Sequence, residues 1–383
     1  MILIVTSKRD GHVAAVSRHL DDAGAPWVRI NIEDFATNVQ VEVTPATGAG
    51  KLLVMDSGKE ITLEEVSAVW FRKPDPVTVQ HFDIDSAALE YVEAEFNEII
   101  LGLYALLDRA YWINNPFNTR IAHRKLLQLR TAAEVGFAVP QTLVTNRPES
   151  ALGFADQVDG DLAIKSLGAI SVMQDQGEHA VQYGIFTRRI SAMELIELSD
   201  KVSHMPTLFQ QFIPKKSELR VTCVGEQVFA CQIQTRAGDI TSDDYRFDTP
   251  NLQHTAIECS ELTNRLHLYM KAFGLNFGCF DFIVSESGEA IFLECNANGQ
   301  WYWVEERTGQ PIGLAIASLL LQHSRVGQSY GVFFTNYNGR ILWERGPRTV
   351  IADLSGAKLR HQEFTVARSP SGKIYKGDQR ILK

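Results

Sequence analysis

Residues Gly278–Trp303 read GCFDFIVSESGEAIFLECNANGQWYW, and the assignment of the fold turns on them. Two short runs rich in Phe, Ile and Val, Cys279–Val284 and Ala290–Cys295, flank Ser287-Gly288, a pair suited to a tight turn, and so predict a β-hairpin. With Ser287 and Gly288 as the loop residues, antiparallel pairing sets Asp281 opposite Glu294. Side chains alternate along a strand, so Glu294 and Asn296 share one face. Two carboxylates opposed across a ladder, with Cβ atoms ~5 Å apart, repel each other. A divalent cation removes that repulsion, and carboxylate and amide oxygens are hard ligands of the kind that hold Mg²⁺ against nucleotide phosphates. A surface hairpin with solvated acids satisfies the same pattern, and the residues upstream decide between the two.

The 383-residue chain is long enough for two or three domains with a substantial core. Its net charge of -9 speaks against general nucleic-acid binding. The five cysteines (Cys223, Cys231, Cys259, Cys279, Cys295) show no CxxC pair and no zinc spacing, which fits a reducing cytoplasm. The opening MILIVTSKRDG turns charged directly after a short apolar strand and lacks the apolar stretch of a signal peptide. Leu314–Leu321, the nearest approach to a membrane span, is too short for one. The expectation is a cytoplasmic protein with neither membrane nor nucleic-acid partner.

Along the chain, Met1–Thr6, Gly11–Ala23, Trp27–Ile32 and Ser67–Phe71 alternate strand and helix and predict a small α/β domain with a parallel sheet. GAGK at Gly48–Lys51 is not a P-loop, because Pro45 stands where that pattern needs its first glycine and Leu52 where it needs Ser or Thr. Arg72 and Lys73 close the Ser67–Phe71 strand, where a basic residue can face a cleft, although a solvated surface position is the favoured expectation. A long helix over Ile84–Ala110 ends at Asn114-Asn115-Pro116-Phe117, the crossing into a second domain. Arg120–Val135 reads as one helix carrying Lys125. Leu162–Gly168 is an apolar strand with Lys165 inside it, and a buried ammonium requires an anion. Leu208–Pro214 is a strand, and Glu218 and Arg220 project from one face of the next. The polar loop RAGDITSDDYRFD, Arg236–Asp248, follows, and helices are predicted over Cys259–Phe273 and Pro311–Ser324. From Val326 to Lys383 short strands alternate with turns, and basic residues outnumber acids. Binding an acidic partner, closing a homodimer interface and packing on the core all suit this appendage.

Taken in order, Lys125, Lys165, Gln211-Phe212-Ile213, Glu218, Arg220, Asp281 and Glu294-x-Asn296 resemble an ATP-grasp ligase. Within that superfamily the chain is most similar to the graspetide maturases, which close microviridin-type ester and amide rings. The likeness rests on MILIVT followed by SKRDG, on NANGQWYW after the metal triplet (similar to NPNGQW, with Ala297 in place of Pro), and on Asp244-Tyr245-Arg246, similar to a D-W-R loop motif. The resemblance implies an α/β ATP-grasp fold with a pre-ATP-grasp domain over 1–115, the ATP-grasp domain over 116–325 and a small β-rich C-terminal appendage over 326–383.

It also implies roles. Lys125 and Lys165 grip the nucleotide phosphates, Gln211 and Phe212 meet the adenine edge, and Glu218 accepts from the ribose hydroxyls. Asp281, Glu294 and Asn296 bind Mg²⁺, while Arg220, Asp244 and Arg246 serve the reacting groups. Arg72 and Trp301 are candidates for contacts with substrate. A carboxylate condenses with an amine or alcohol only once activated, and ATP does this by making an acyl phosphate, with catalysis by positioning and charge neutralisation. No Cys/His or Ser/His constellation is needed, and His12, His123 and His254 are read as structural or surface residues. The implied activity joins Asp or Glu side chains of a ribosomal precursor peptide to Thr, Ser or Lys side chains of the same peptide. The alternatives are a ligase adding glutamate or another free amino acid to a peptide or protein tail, and a nucleotide-binding regulatory module.

Overall fold

A computed structural model of the chain describes residues 1–158, 160–168, 171–175, 180–184, 187–235, 251–324, 366–368 and 374–376. These fall into two compact units: Met1–Pro116 with the described part of Gly313–Lys383, and Phe117–Ile312.

In the first unit β1 (Ile2–Thr6) is buried at every position, as befits an interior strand of a parallel sheet covered on both faces. Helix α1 (His12–Asp22) leads to β2 (Trp27–Asn31), and β6 (Ala68–Phe71) and β7 (Tyr111–Ile113) complete an all-parallel sheet of order β2-β1-β6-β7. Between β2 and β6 lie a short helix, α2 (Phe35–Asn38), and an antiparallel sheet of β3 (Val39–Thr44), β4 (Ala49–Val54) and β5 (Lys59–Thr62). The sequence reading did not find this sheet, although β3 alternates half-buried and exposed positions along VQVEVT. GAGK is the turn and start of β4, in keeping with its rejection as a P-loop. Helix α3 (Ser86–Leu106) starts at Asp85, whose carboxylate accepts from the Ala88 N–H at 2.9 Å.

The second unit opens with α4 (Pro116–Ala122) and α5 (Lys125–Glu134). Where one helix was expected over Arg120–Val135 there are two, because Arg124 is extended (φ -80°, ψ 103°). The break makes Lys125 the first residue of α5. An antiparallel sheet of order β12-β9-β13-β8 follows, built from β8 (Thr142–Thr145), β9 (Leu162–Lys165), β12 (Arg188–Ile190) and β13 (Thr207–Gln211). Helices α6 (Pro148–Val158), α7 (Ala192–Glu197) and α8 (Ser199–Val202) supply Phe154, Leu195 and Val202 to its core beside Phe209 and Ile190. A separate hairpin pairs β10 (Ser171–Asp175) with β11 (Ala180–Gly184).

The larger sheet of this unit has the order β16-β15-β14-β17-β18, all antiparallel, from β14 (Lys215–Val224), β15 (Gln227–Gln234), β16 (Gln253–Ile257), β17 (Phe277–Ser285) and β18 (Ala290–Asn296). One face packs on α5 and α9 (Ser260–Phe273) through an aromatic core. In it Phe137 meets Phe282 at 5.2 Å, and Tyr269 meets Phe280 at 5.2 Å and Phe292 at 5.5 Å between ring centres. The helix α10 (Tyr302–Thr308) follows β18.

The final helix, α11 (Ile312–Ser324), groups with the first unit from Gly313 onward. His323 stacks on Tyr111 at 3.6 Å between ring centres, and the Ser67 hydroxyl donates to the Ser324 carbonyl at 3.2 Å. No helix among the described residues is long and apolar enough to cross a membrane. Of the C-terminal appendage, β19 (Val366–Arg368) and β20 (Ile374–Lys376) form an antiparallel pair; the rest of it lies outside the described residues.

Candidate active site

The decisive hairpin forms, and Asp281 stands opposite Glu294 as expected, but by two compensating departures. The turn takes three residues, Glu286 to Gly288, closed by the Ser285 N–H on the Glu289 carbonyl at 2.9 Å, with Gly288 at φ 90° in the left-handed region that a glycine tolerates. That shifts the ladder by one, so Phe282 faces Phe292. A β-bulge then inserts Leu293 and restores the pairing at Asp281 and Glu294. The bulge also resets which side chains point where. Phe292 and Cys295 enter the aromatic core, while Glu294 and Asn296 share the opposite face.

On that opposite face one row of cross-strand partners runs Cys231, Arg220, Asp281, Glu294 through β15, β14, β17 and β18. Arg220 Nη1 donates to both Asp281 carboxylate oxygens at 2.8 Å, and Nη2 donates to the Gln300 carbonyl at 2.8 Å. The two side chains are 6% and 13% exposed, which makes this a nearly desolvated ion pair. Next to it Lys125 Nζ lies 3.1 Å from Glu294, an arrangement that the helix break before Lys125 permits. Burial on its own would raise the Glu294 carboxyl; Lys125 and Lys165 overcome it and hold the group at about 2. Lys165, the last residue of β9, acts on Glu294 through its charge, and it is half-buried.

Asn296 Nδ2 donates to Glu294 at 3.2 Å and lies 3.4 Å from Asp281, so one amide bridges both acids. Among the described residues there is no cluster of three His, Cys, Asp or Glu side chains placed to hold a metal. A cation here would rest on the two carboxylates and, with the Asn296 amide turned over so that Oδ1 takes the place of Nδ2, on the amide oxygen. That donor set is hard and oxygen-rich, and it fits Mg²⁺.

The remaining candidates divide. Glu218 is buried and ion-paired with Lys215, a residue that the sequence reading passed over; a register shift between Lys215 and Ser217 turns the lysine toward it. The close charge pair at i and i+3 was the available signal. The N–H of Gln211 donates to the Gln141 carbonyl and that of Phe212 to the Asp161 carbonyl, both at 2.9 Å. Contact of this segment with a purine edge therefore falls to carbonyl oxygens or to the residues that follow. The Phe212 ring is covered by the Arg189 guanidinium at 4.3 Å. Asp244 and Arg246 lie outside the described residues.

Two expectations are corrected. Trp301 is fully buried and belongs to the core, out of reach of a substrate. Arg72 is 2% exposed rather than solvated, and pairs with Asp10 at 3.7 Å because the β6 end lies against the β1–α1 turn. The segment before Trp301 explains itself sterically. A Cβ on Gly299 would stand 2.4 Å from Cys279 Cβ and 3.0 Å from Arg220 Nη2, so only glycine lets the Gln300 carbonyl reach the guanidinium.

With this geometry in place, a family model described as the MvdD pre-ATP grasp domain matches residues 1–120. Among solved structures, macrocyclase MdnC of Microcystis aeruginosa MRC, bound with precursor peptide MdnA, is 30% identical, with 84% of this chain and 99% of that chain covered and a TM-score of 0.73. This chain belongs to the ATP-grasp graspetide maturases. The maturase is also similar to a Chryseobacterium gregarium RiPP-associated ATP-grasp ligase in complex with ADP and a leader and core peptide. That match is 27% identical, covers 84% and 96% of the two chains, and has a TM-score of 0.77. A Mannheimia succiniciproducens protein named "Probable alpha-L-glutamate ligase" is 26% identical over 215 residues, 54% of the maturase, which spans 66% of that relative's length. The maturase is thus a ligase with the α/β ATP-grasp architecture.

Proposed function

We propose that this maturase uses ATP and Mg²⁺ to phosphorylate Asp or Glu side chains of a ribosomal precursor peptide, then joins them to Thr or Ser hydroxyls or Lys amines of the same peptide. The observation that carries the reading is the Arg220–Asp281–Glu294 row with Lys125 and Lys165 beside it. Asp281 and Glu294 would hold Mg²⁺, which would supply charge neutralisation for the transferring phosphate. Lys125 and Lys165 bring fixed positive charge to where a triphosphate would lie, and Arg220 holds Asp281 in place. The peptide carboxylate attacks the γ-phosphorus, ADP leaves, and the hydroxyl or amine then displaces phosphate from the acyl phosphate. Holding acid and acceptor together converts a bimolecular condensation into an intramolecular one. The peptides bound by the Microcystis and Chryseobacterium relatives support a precursor peptide as the partner.

The test is incubation with ATP, Mg²⁺, free glutamate and a short acidic, Thr- and Ser-containing peptide encoded beside this gene. Loss of one water per ring, matched by one ADP, is the expected result. The likeness to a glutamate ligase favours a second reading, in which the peptide gains amino-acid mass instead. A peptide unchanged in mass while ATP is untouched would refute both.

A further inference from the structure

Resting on that reading of the site, we infer that Gln128 is a positioning residue that aims the metal-binding acids from outside the site. β18 is the last strand of its sheet, so the outward backbone groups of its residues have no neighbouring strand. At Cys295, midway between Glu294 and Asn296, the Gln128 side chain takes the place of one. Its Oε1 accepts from the Cys295 N–H at 3.1 Å and its Nε2 donates to the Cys295 carbonyl at 2.9 Å. The same Nε2 donates to the Ala122 carbonyl at 2.7 Å, at the end of α4. Gln128 is 4% exposed, and a buried amide in this position is fully committed.

The consequence is geometric. Just before the clamp lies the Leu293 bulge, where the ladder to β17 is irregular and the strand is least constrained. A second backbone support lies on the far side of the bulge, where the Phe292 N–H donates to the Ala138 carbonyl at 2.8 Å. Between these two supports Glu294 is held on the site face. Gln128 also stands three residues after Lys125 on α5, so a single helix delivers both the ammonium that pairs with Glu294 and the amide that fixes its backbone. The clamp locks the spacing between lysine and carboxylate, and with it the geometry open to a cation.

Removing the support of a metal ligand typically costs about 10–100-fold in metal affinity. The experiment measures ADP binding by calorimetry across a Mg²⁺ titration, and again in EDTA, for the wild type and for Gln128→Met, which keeps the volume and removes both bonds to Cys295. The expected result is a half-saturating Mg²⁺ concentration raised about 10-fold or more, with ADP affinity in EDTA changed less than about twofold. A folded variant with the wild-type Mg²⁺ requirement overturns the inference, as does an equal loss with and without metal. Should Gln128→Met not fold, Gln128→Glu, which keeps the acceptor for the Cys295 N–H, undergoes the same titration; failure of both to fold assigns the residue to stability alone and also overturns it. If the wild type itself shows no Mg²⁺-dependent ADP binding, the fault lies with the nucleotide reading rather than with Gln128.

Discussion

Arg220 and Asp281 face each other in register across β14 and β17, with one guanidinium nitrogen 2.8 Å from both carboxylate oxygens. The pair does two jobs that pull in different directions. It neutralises an acid that would otherwise be nearly buried beside Glu294, and it occupies oxygens that a cation would need. Breaking such a pair from one side leaves an uncompensated charge, typically at about 3–5 kcal/mol. Arg220→Met should therefore lower the unfolding free energy by roughly that amount, and Asp281→Asn should cost less, because Arg220 keeps the Gln300 carbonyl. The double variant should be more stable than the sum of the single effects predicts, since neither charge is then left alone. Urea unfolding of the four proteins measures the coupling.

Metal dependence follows from the same row. Asp281→Asn and Glu294→Gln each remove an anionic oxygen where phosphate charge must be balanced, and each should lower precursor-stimulated ATP turnover by on the order of 10²-fold or more. EDTA should abolish turnover in the wild type, and excess Mg²⁺ should restore it. If both variants kept wild-type turnover, the cation site would have to lie elsewhere. An ADP-release assay run in parallel with peptide mass spectrometry reads both the chemistry and its coupling to ring closure.

How far this site was legible is clearest at Asp281 and Glu294. Counting outward from Ser287-Gly288 placed them opposite each other, and they are opposite, yet the turn is one residue longer and the Leu293 bulge returns the register. Periodicity carries the phase of a strand but not a compensating pair of irregularities, which depend on how Phe292 packs against Phe137 and Tyr269. The parallel sheet of the first unit was visible because its buried strand β1 is apolar at every position but the last, Thr6. Burial of Arg72 was not, since it rests on Asp10, far away in sequence. Lys125 was found, but the helix break that aims it was not, because Arg124 carries no breaker chemistry. Asp244 and Arg246 fall within 236–250, outside the described residues.

Acid stability offers a separate check, in the first unit. Asp10 accepts from the Thr6 hydroxyl at 2.8 Å and the His12 N–H at 3.0 Å, and pairs with the His12 ring and Arg72. Burial alone would raise its carboxyl, but the His12 bond, Arg72 and Thr6 hold it at about 2, against an ordinary 3.8. A depressed folded value contributes stability that is present above the unfolded value and is lost as pH falls through the folded one. The wild type should thus lose on the order of 1 kcal/mol between about pH 4 and pH 2 that Asp10→Asn does not lose, after allowance for solvent screening. Urea unfolding of both proteins at pH 5, 3.5 and 2.5 measures the difference. Parallel curves would remove Asp10 as the cause.

Gly299 ties the sterics of the NANGQW segment to the charge row. It closes a turn by donating its N–H to the Asn296 carbonyl at 3.0 Å, immediately after the last site residue of β18. A methyl group added there would meet Cys279 Cβ at 2.4 Å and Sγ at 2.7 Å, backed by a strand that cannot retreat. Gly299→Ala should therefore push the Gln300 carbonyl off Arg220 and cost about 1–3 kcal/mol, in the range of overpacked cores, together with most of the ATP turnover. Cys279→Gly removes the atoms in the way, and in the Gly299→Ala background it should recover part of both losses. Turnover recovered without stability would mean that the clash acts on Arg220 alone. Stability recovered without turnover would mean that the Arg220–Gln300 contact does not serve the reaction.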